Sequence, residues 1–436
     1  MASSQVVSVS VLRLDTASGP LHCEIAVPGS KSIANRALMC AALADGTTTL
    51  SNLASGDDTA AMIDCLRALH IDITVEGTTA TIIGSAGHPN GGAELNARLA
   101  GTTSRFMTAL AALSVVPSLI TGDAPLRHRP MKPLHDALTQ LGAQVKSVDQ
   151  LGHLPVWVSG DALDGGTVSI PGDISSQYVS ALMMIGPYLP DGIRLQLTSP
   201  LVSRPYVAIT ASVMSSFGAT GIAIGDHTIG VEPCPYVGTS YAIEADASSA
   251  SYPLAAAAIA GGSVKVLGVG QPALQGDAAF VEVLESMGCQ TQATDNSLEV
   301  TSTEQLHGVE INMADMSDLV PTLAVVAVFA DSPTRITGVG FIRHKESDRI
   351  GDLVNGLKKI GCDAVEEEDG IVIRPVNFDQ LHGAELSTHD DHRLAMAWSL
   401  LALRISGISI EEPEVVSKSW PEWWDVRSSL LKASAN

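Results

Sequence analysis

The sequence has few aromatic residues, few basic residues and no long apolar segment. Aromatic residues make up 4% of the chain, and the formal net charge is −22. Nucleic acids are bound by clustered Lys and Arg, so this charge argues against a nucleic-acid partner. The longest apolar run, around Leu319 to Ala330, is too short to span a membrane and contains a proline. We therefore expect neither nucleic acid nor membrane as a partner, and any local basic cluster gains significance.

Motifs for cofactors, metals and export are also missing. No glycine-rich nucleotide fingerprint is present, and the His- and Asp-containing segment 382–392 lacks the spacing of metal-ligand motifs such as H-E-x-x-H. The six cysteines include no C-x-x-C pair, and the chain does not open with a signal-peptide pattern. We expect no cofactor, no metal, reduced thiols and a cytoplasmic location.

A short polar cap followed by an apolar helix recurs at intervals of about 70 residues. The caps are centred on Lys31, Thr102, Ser175, Ser248, Ser317 and His392. After each cap the pattern predicts a helix, a strand, a second amphipathic helix and two short strands. The second helices are predicted to end at His70, Gly142, Gly218, Gly288 and Gly361, and glycine at such a position suits a left-handed C-cap. The repeat predicts an α/β fold, of the α+β type, built from six copies of one unit.

The sixth copy stops before its two closing strands, whereas the N-terminus offers unclaimed strands at Val6 to Leu14 and Leu21 to Val27. We expect the beginning of the chain to complete the last repeat. This predicts one domain of residues 1–29 plus 246–436, holding repeats four to six, and an inserted domain of residues 30–245, holding repeats one to three. Two crossings between domains favour hinge closure around a site.

Basic residues occupy helix starts, where the helix dipole disfavours a cation by roughly 0.3–1 kcal/mol. They are Lys31, Arg36, Arg105, Arg349 and Arg393. A single basic side chain can avoid the helix dipole by extending into water. Basic residues at several equivalent helix starts instead indicate that a multiply charged anion lies against these caps. The charged segment His344 to Arg349 either forms a solvated helix face, with Lys345 and Arg349 on one side, or uses these two cations to hold a substrate. Glu346 is either a solvated residue or a proton donor, and Asp318 is the second candidate carboxylate.

These residues fall in motifs that occur in order along nearly the whole chain. The motifs are Val27-Pro28-Gly29-Ser30-Lys31-Ser32 with Asn35-Arg36, Leu99-Ala100-Gly101-Thr102, Arg129-Pro130, Ser175-Ser176-Gln177, Ser203-Arg204-Pro205-Tyr206, Asp246-Ala247-Ser248-Ser249-Ala250, Lys345-Glu346-Ser347-Asp348-Arg349, Asp391-His392-Arg393-Leu394-Ala395-Met396 and Lys418-Ser419-Trp420-Pro421. With them the chain resembles the 5-enolpyruvylshikimate-3-phosphate synthases, a family of enolpyruvyl transferases. The resemblance implies a two-domain inside-out α/β barrel of six βαβαββ repeats, three per domain, with the active site in the interdomain cleft.

The resemblance also implies a reaction and its residues. The 5-hydroxyl of shikimate 3-phosphate would attack C2 of phosphoenolpyruvate while C3 is protonated, and the tetrahedral intermediate would expel phosphate without a cofactor. The implied catalytic residues are Asp318, Glu346 and Lys31. Those implied for shikimate 3-phosphate are Lys31, Ser32, Arg36, Ser175, Ser176, Gln177, Ser203, Asp318 and Lys345. Those implied for phosphoenolpyruvate are Lys31, Gly101, Arg129, Gln177, Arg349, Arg393 and Lys418.

Departures from the family pattern occur at Leu99, Phe106 and Phe341, beside the implied substrate sites. Two alternatives stay open. One is a UDP-N-acetylglucosamine enolpyruvyltransferase, although no cysteine lies in the loop Gly122 to Arg127 where that family usually carries one. The other is a non-catalytic anion-binding relative, which would be expected to lack Asp318, Glu346 or Lys31. Family precedent favours a monomer.

Overall fold

The computed structural model describes residues 10–161 and 163–434. The chain divides into two compact units. Unit 1 comprises residues 1–26, 248–271 and 277–436, and unit 2 comprises residues 27–247 and 272–276. The short loop 272–276 therefore belongs to unit 2, a detail absent from the predicted domain boundaries. As a statement about independent folding domains, the predicted division remains a prediction.

Unit 2 alternates helices with short strands. Its helices are α1 (Lys31–Leu43), α2 (Asp57–Ala68), α3 (Gly101–Ala111), α4 (Ala124–Arg127), α5 (Lys132–Gln140), α6 (Ser176–Ile185) and α7 (Arg204–Ser216). Its strands are β3 (Thr47–Ser51), β4 (Asp72–Glu76), β5 (Thr79–Ile83), β6 (Glu94–Asn96), β7 (Ser118–Thr121), β8 (Gln144–Ser147), β9 (Val156–Ser159), β10 (Gly166–Ile170), β11 (Ile193–Leu197), β12 (Ile222–Ile224), β13 (Thr228–Val231) and β14 (Ser240–Ala242).

Unit 1 repeats the same alternation. Its helices are α8 (Ala247–Ala260), α9 (Phe280–Ser286), α10 (Val320–Ala327), α11 (Arg349–Lys359), α12 (His392–Leu401) and α13 (Trp423–Ala433). Its strands are β1 (Val11–Arg13), β2 (Leu21–Ala26), β15 (Gly262–Leu267), β16 (Gln290–Ala293), β17 (Ser297–Thr301), β18 (Glu310–Asn312), β19 (Thr334–Thr337), β20 (Asp363–Glu367), β21 (Gly370–Arg374), β22 (Glu385–Leu386) and β23 (Ser409–Glu411). Short 3₁₀ turns precede several of the helices.

Within the described ranges the strands form six small sheets, one for each repeat. In β10-β11-β13-β12, for example, the first two strands are parallel and the last two form an antiparallel hairpin beside them. The same order occurs in β18-β19-β21-β20 and β6-β7-β9-β8. A parallel pair needs a crossover, which the helix between the two strands supplies. The six predicted repeats and the α/β fold class are confirmed.

The N-terminal strands join two different sheets, which corrects one prediction. Strand β1 pairs antiparallel with β23 of the sixth repeat, as expected, although residues 6–9 of that predicted strand lie outside the described residues. Strand β2 instead pairs in parallel with β15 of the fourth repeat. Its counterpart in unit 2 is β14, which pairs in parallel with β3 of the first repeat. Each of these two sheets thus receives its first strand from a distant part of the chain.

The helices that follow the polar caps form the cores. Helices α1, α3 and α6 in unit 2, and α8, α10 and α12 in unit 1, are buried on nearly every side. Their small and apolar residues suit this position, because a helix without a polar face is stable only in a core. The five residues predicted to end second helices all have positive φ angles, from 60° at His70 to 104° at Gly288. These predicted helix ends are confirmed.

Candidate active site

The predicted residues of unit 1 lie at helix starts and in the turns beside them. Asp318 belongs to the 3₁₀ turn that precedes α10, Lys345 and Glu346 lie in the irregular segment before α11, and Lys418 ends a 3₁₀ turn. Arg349 and Arg393 stand in the first turns of α11 and α12. Of the two interpretations of this segment, the helix face with Lys345 and Arg349 on one side is not observed, because Asp348 caps α11 and the helix begins only at Arg349.

Three cations surround the carboxylate of Asp318. One oxygen is 2.6 Å from Lys345 Nζ and 3.0 Å from Arg349 Nη1, and the other is 2.6 Å from Arg393 Nη2. Burial raises the pKa of Asp318, but the charges of Arg393, Lys345 and Arg349 outweigh it and hold that pKa well below its usual value. Asp318 is therefore ionised and accepts hydrogen bonds from all three partners.

Glu346 lies between Arg349 and a fourth cation, Lys418. Its Oε2 is 2.9 Å from Arg349 Nη2 and its Oε1 is 3.4 Å from Lys418 Nζ, and only 14% of its side chain is exposed. Both candidate acid–base carboxylates therefore contact the same buried guanidinium of Arg349. Burial lowers the pKa of Lys345, whose Nζ also stands 5.7 Å from the ring centre of Phe341. The structure thus assembles six predicted site residues of unit 1 into one network.

In unit 2, Lys31 is the first residue of α1, after the extended N-cap residue Ser30. Its Nζ is 2.9 Å from Oδ2 of Asp58, a buried residue at the start of α2. The cation at the start of α1 is thus neutralised by a carboxylate at the start of α2. Sequence reasoning missed Asp58, although the pair Asp57-Asp58 directly after Gly56 is a signal for the start of a helix.

Arg36, one turn after Ser32, is a buried cation held by neutral acceptors. Its Nε donates to Thr210 Oγ1 at 2.7 Å, its Nη1 to the Ser32 carbonyl at 2.8 Å, and its Nη2 to Ser180 Oγ and the Tyr206 carbonyl at 3.3 Å each. Burial lowers the pKa of Arg36 to about 10. Within residues 10–161 and 163–434, no carboxylate is bonded to it. A buried cation bonded only to dipoles favours a nearby anion.

Gly101 opens α3 beside two arginines. The Nη1 of Arg105 donates to the Gly101 carbonyl at 3.1 Å, and its Nη2 donates to the Pro130 carbonyl at 3.2 Å. A Cβ atom at Gly101 would lie 2.6 Å from Nη1 of Arg129. Only a residue without a side chain lets the guanidinium of Arg129 approach this helix start so closely.

The serine-containing caps of unit 2 lie at the starts of α6 and α7. Ser175 accepts a hydrogen bond from the Gln177 amide and so caps α6, which begins at Ser176. The side-chain amide of Gln177 donates to Thr102 Oγ1 at 3.3 Å, which joins α6 to α3. Ser203 precedes α7 in the left-handed region, with φ of 53°. Such a conformation costs about 1–3 kcal/mol and is concentrated at functional sites.

The candidate site residues of the two units are mainly cations and do not form a typical set of metal-ion ligands. No group of three or more His, Cys, Asp and Glu side chains suited to a metal ion occurs among the described residues. The arrangement instead offers arginines and lysines at helix starts, which suit phosphate and carboxylate oxygens. No helix in the described ranges combines the length and apolar character that a membrane span requires.

Similarity to known proteins agrees with this chemistry. Residues 16–426 match the family described as EPSP synthase (3-phosphoshikimate 1-carboxyvinyltransferase). The 3-phosphoshikimate 1-carboxyvinyltransferase of Methanosphaerula palustris is 38% identical over 411 residues, 93% of this chain and 96% of that protein. The Vibrio cholerae O1 (strain M66-2) enzyme of the same name is 39% identical over 416 residues, covering 94% and 97%. The structure of EPSP synthase from Acinetobacter baumannii is similar with a TM-score of 0.80 and 27% identity, over 96% of this chain and 98% of that one. The chain belongs to the EPSP synthase family.

Proposed function

We propose that this chain transfers the enolpyruvyl group of phosphoenolpyruvate to the 5-hydroxyl of shikimate 3-phosphate, giving 5-enolpyruvylshikimate 3-phosphate and phosphate. This is the reaction of a 3-phosphoshikimate 1-carboxyvinyltransferase in the shikimate pathway of aromatic amino acid biosynthesis. The observation that carries the proposal is the unit 1 network, in which Asp318 and Glu346 are bonded to the cations Lys345, Arg349, Arg393 and Lys418.

In the proposed addition step, the 5-oxygen forms a bond to C2 of phosphoenolpyruvate. The carboxylate of Asp318 accepts the hydroxyl proton, and Glu346 donates a proton to C3. In the elimination step, the C2–O bond to phosphate breaks, C3 returns its proton to Glu346, and the proton held by Asp318 passes to the departing phosphate, so the enol double bond forms again. Both steps place charge on phosphate and carboxylate oxygens. Fixed cations such as Arg349 and Arg393 stabilise that charge without reorganising during the reaction. The equation balances without an oxidant, a reductant or a cofactor.

The proposed assignments for binding follow the predicted sets. We assign shikimate 3-phosphate to Lys31, Ser32, Arg36, Ser175, Ser176, Gln177, Ser203, Asp318 and Lys345. We assign phosphoenolpyruvate to Lys31, Gly101, Arg129, Gln177, Arg349, Arg393 and Lys418. The uncompensated charge of Arg36 and the close approach of Arg129 to Gly101 support these assignments.

The proposal extends to a monomer in the cytoplasm whose two domains, 1–29 plus 246–436 and 30–245, close on the substrates. All six cysteines are free thiols, which suits a reducing compartment. Light scattering that gives the mass of a dimer would contradict the monomer. Small-angle scattering without compaction after addition of shikimate 3-phosphate would contradict closure.

The activity is tested by phosphate release from phosphoenolpyruvate with shikimate 3-phosphate as the acceptor. Turnover is expected with shikimate 3-phosphate and not with UDP-N-acetylglucosamine, an acceptor that the family membership does not favour. Glu346→Gln should lose about 10²–10⁴-fold in kcat, the usual contribution of a general acid. Glu310→Gln, which changes a glutamate 70% exposed in the same unit, is the control and should keep full activity. Absence of turnover with shikimate 3-phosphate would refute the proposed function.

A further inference from the structure

One carboxylate near the site is completely buried. The side chain of Asp391 is 0% exposed and lies at the N-cap of α12. Its Oδ2 is 2.7 Å from Nε of Arg349 and its Oδ1 is 3.2 Å from Nη2 of the same guanidinium. This is a two-point pairing of a carboxylate with the edge of an arginine, which fixes the plane of the guanidinium as well as its place. No substrate assignment includes Asp391.

Arg349 uses its other donors on the two proposed acid–base residues. Its Nη1 donates to Asp318 at 3.0 Å and its Nη2 to Glu346 at 2.9 Å, and only 1% of its side chain is exposed. Asp391 and Arg349 thus meet along one edge of the guanidinium, while the groups proposed to handle protons occupy the rest. A shift or rotation of Arg349 therefore moves its contacts with both Asp318 and Glu346.

The same carboxylate also fixes the start of α12. The backbone amide of Arg393 donates to Oδ1 of Asp391 at 2.9 Å. The side chain of Arg393 then reaches Oδ2 of Asp318 at 2.6 Å. Asp391 therefore contacts both arginines that are bonded to Asp318. It pairs with the guanidinium of Arg349 and accepts a hydrogen bond from the backbone amide of Arg393.

We infer that Asp391 is a positioning residue for the transfer reaction, acting through Arg349. This inference rests on the proposed function. Asp391 holds the guanidinium in the orientation that serves phosphoenolpyruvate, Asp318 and Glu346 together, and it is buried too deeply to touch a substrate. A misplacement of about 1 Å in such a group costs about 10²-fold in rate.

Asp391→Asn separates this role from helix capping. Asn is as good an N-cap as Asp, so the bond from the Arg393 amide can persist. The new NH₂ group or the loss of charge, however, breaks the two-point pairing with Arg349, because a donor then faces a donor. We expect kcat/KM for phosphoenolpyruvate to fall about 10²-fold. Calorimetric affinity for shikimate 3-phosphate, assigned mainly to unit 2, should change less than about threefold.

A double-mutant cycle with Arg349→Met tests the route of the effect. If Asp391 acts through Arg349, then Asp391→Asn adds almost nothing in an Arg349→Met background, because the group it positions is already gone. Asp348→Asn is the matched control. Asp348 caps α11 as Asp391 caps α12, and its side chain pairs with Arg343. This control should retain kcat/KM within about threefold.

The outcomes are distinct. Three results would each overturn the positioning role. They are losses of activity that multiply in the double variant, a parallel loss of affinity for shikimate 3-phosphate, and full activity of Asp391→Asn. If Asp391→Asn does not fold, Asp391→Ser, which keeps a capping oxygen, enters the same cycle. A wild-type chain without turnover would instead overturn the proposed function, and active wild type with active Asp391→Asn would overturn only the inference about Asp391.

Discussion

The start of α3 allows a sharp test of the phosphoenolpyruvate assignment. In Gly101→Ala, the new Cβ would lie 2.6 Å from Nη1 and 3.0 Å from Cζ of Arg129, and 3.2 Å from Nη1 of Arg105. Ordinary contacts of this kind need about 3.5 Å or more, so the guanidinium of Arg129 must retreat by about 1 Å. The end of a flexible side chain can do this, so the fold should persist while the bound anion loses a partner.

We expect KM for phosphoenolpyruvate to rise about 10²-fold in Gly101→Ala, the usual consequence of a 1 Å displacement of a positioning group. The thermal midpoint and the calorimetric affinity for shikimate 3-phosphate should stay close to those of the wild type. Gly230→Ala is the control, because a Cβ at Gly230 meets no atom within 4 Å. An unchanged KM for phosphoenolpyruvate in Gly101→Ala would show that Arg129 does not hold this substrate.

Two further predictions concern stability. Burial lowers the pKa of His135 to about 4, so between pH 6.5 and 4 the unfolded chain takes up a proton that the folded chain does not. Stability should therefore fall as pH decreases through this window, by up to about 3 kcal/mol, and His135→Leu should remove this part of the dependence in urea titrations. In Gly356→Ala, the new Cβ would lie 2.5 Å from the buried ring of Trp398, which should destabilise the chain by about 1–3 kcal/mol, and Trp398→Phe should restore part of the loss.

Each stability prediction has its contrary result. If the exposed His128→Leu flattens the pH dependence as much as His135→Leu does, burial of His135 is not the cause. If Gly356→Ala raises the unfolding free energy, the gain in helix propensity, about 1 kcal/mol, outweighs the contact with Trp398.

The repeat was predictable because it is written in local chemistry. A polar cap, an apolar helix and a left-handed residue such as Gly361 recur in order, and each is decided by neighbours within a few residues. The pairing of β2 with β15 is not decided locally. The burial of Leu21 and Ile25 on one face suits either of two sheets, and the choice depends on contacts about 240 residues away in sequence.

Six residues of the unit 1 network were predictable from the sequence, whereas their geometry was predictable only in part; their roles remain predictions. The charged run before α11 has the spacing of a helix face, yet Ser347 and Asp348 are residues that favour helix starts, and Asp348 places Lys345 outside the helix. Asp58 and Asp391 were missed as partners of the site cations because an ion pair between distant segments leaves no periodic trace. Only an indirect signal of these carboxylates is present in the sequence. Lys31 and Arg349 lie at helix starts, where a cation is unfavourable, and a buried cation needs a counter-ion.

The charges of unit 1 indicate how the site can remain folded without substrate and still bind it. Among the described residues, ion pairs join four cations, Lys345, Arg349, Arg393 and Lys418, to the carboxylates of Asp318, Glu346 and Asp391, so these largely buried charges are satisfied within the chain. On the proposed roles, an arriving anion exchanges with bonds to Asp318 rather than entering an unsatisfied site. On the same roles, the low pKa of Asp318 has a use, because the charges of Arg393, Lys345 and Arg349 outweigh its burial and keep the carboxylate ionised. An ionised Asp318 can accept the proton of the 5-hydroxyl without first losing one of its own, so the cations that would bind the substrates also keep the proposed base ready for the addition step.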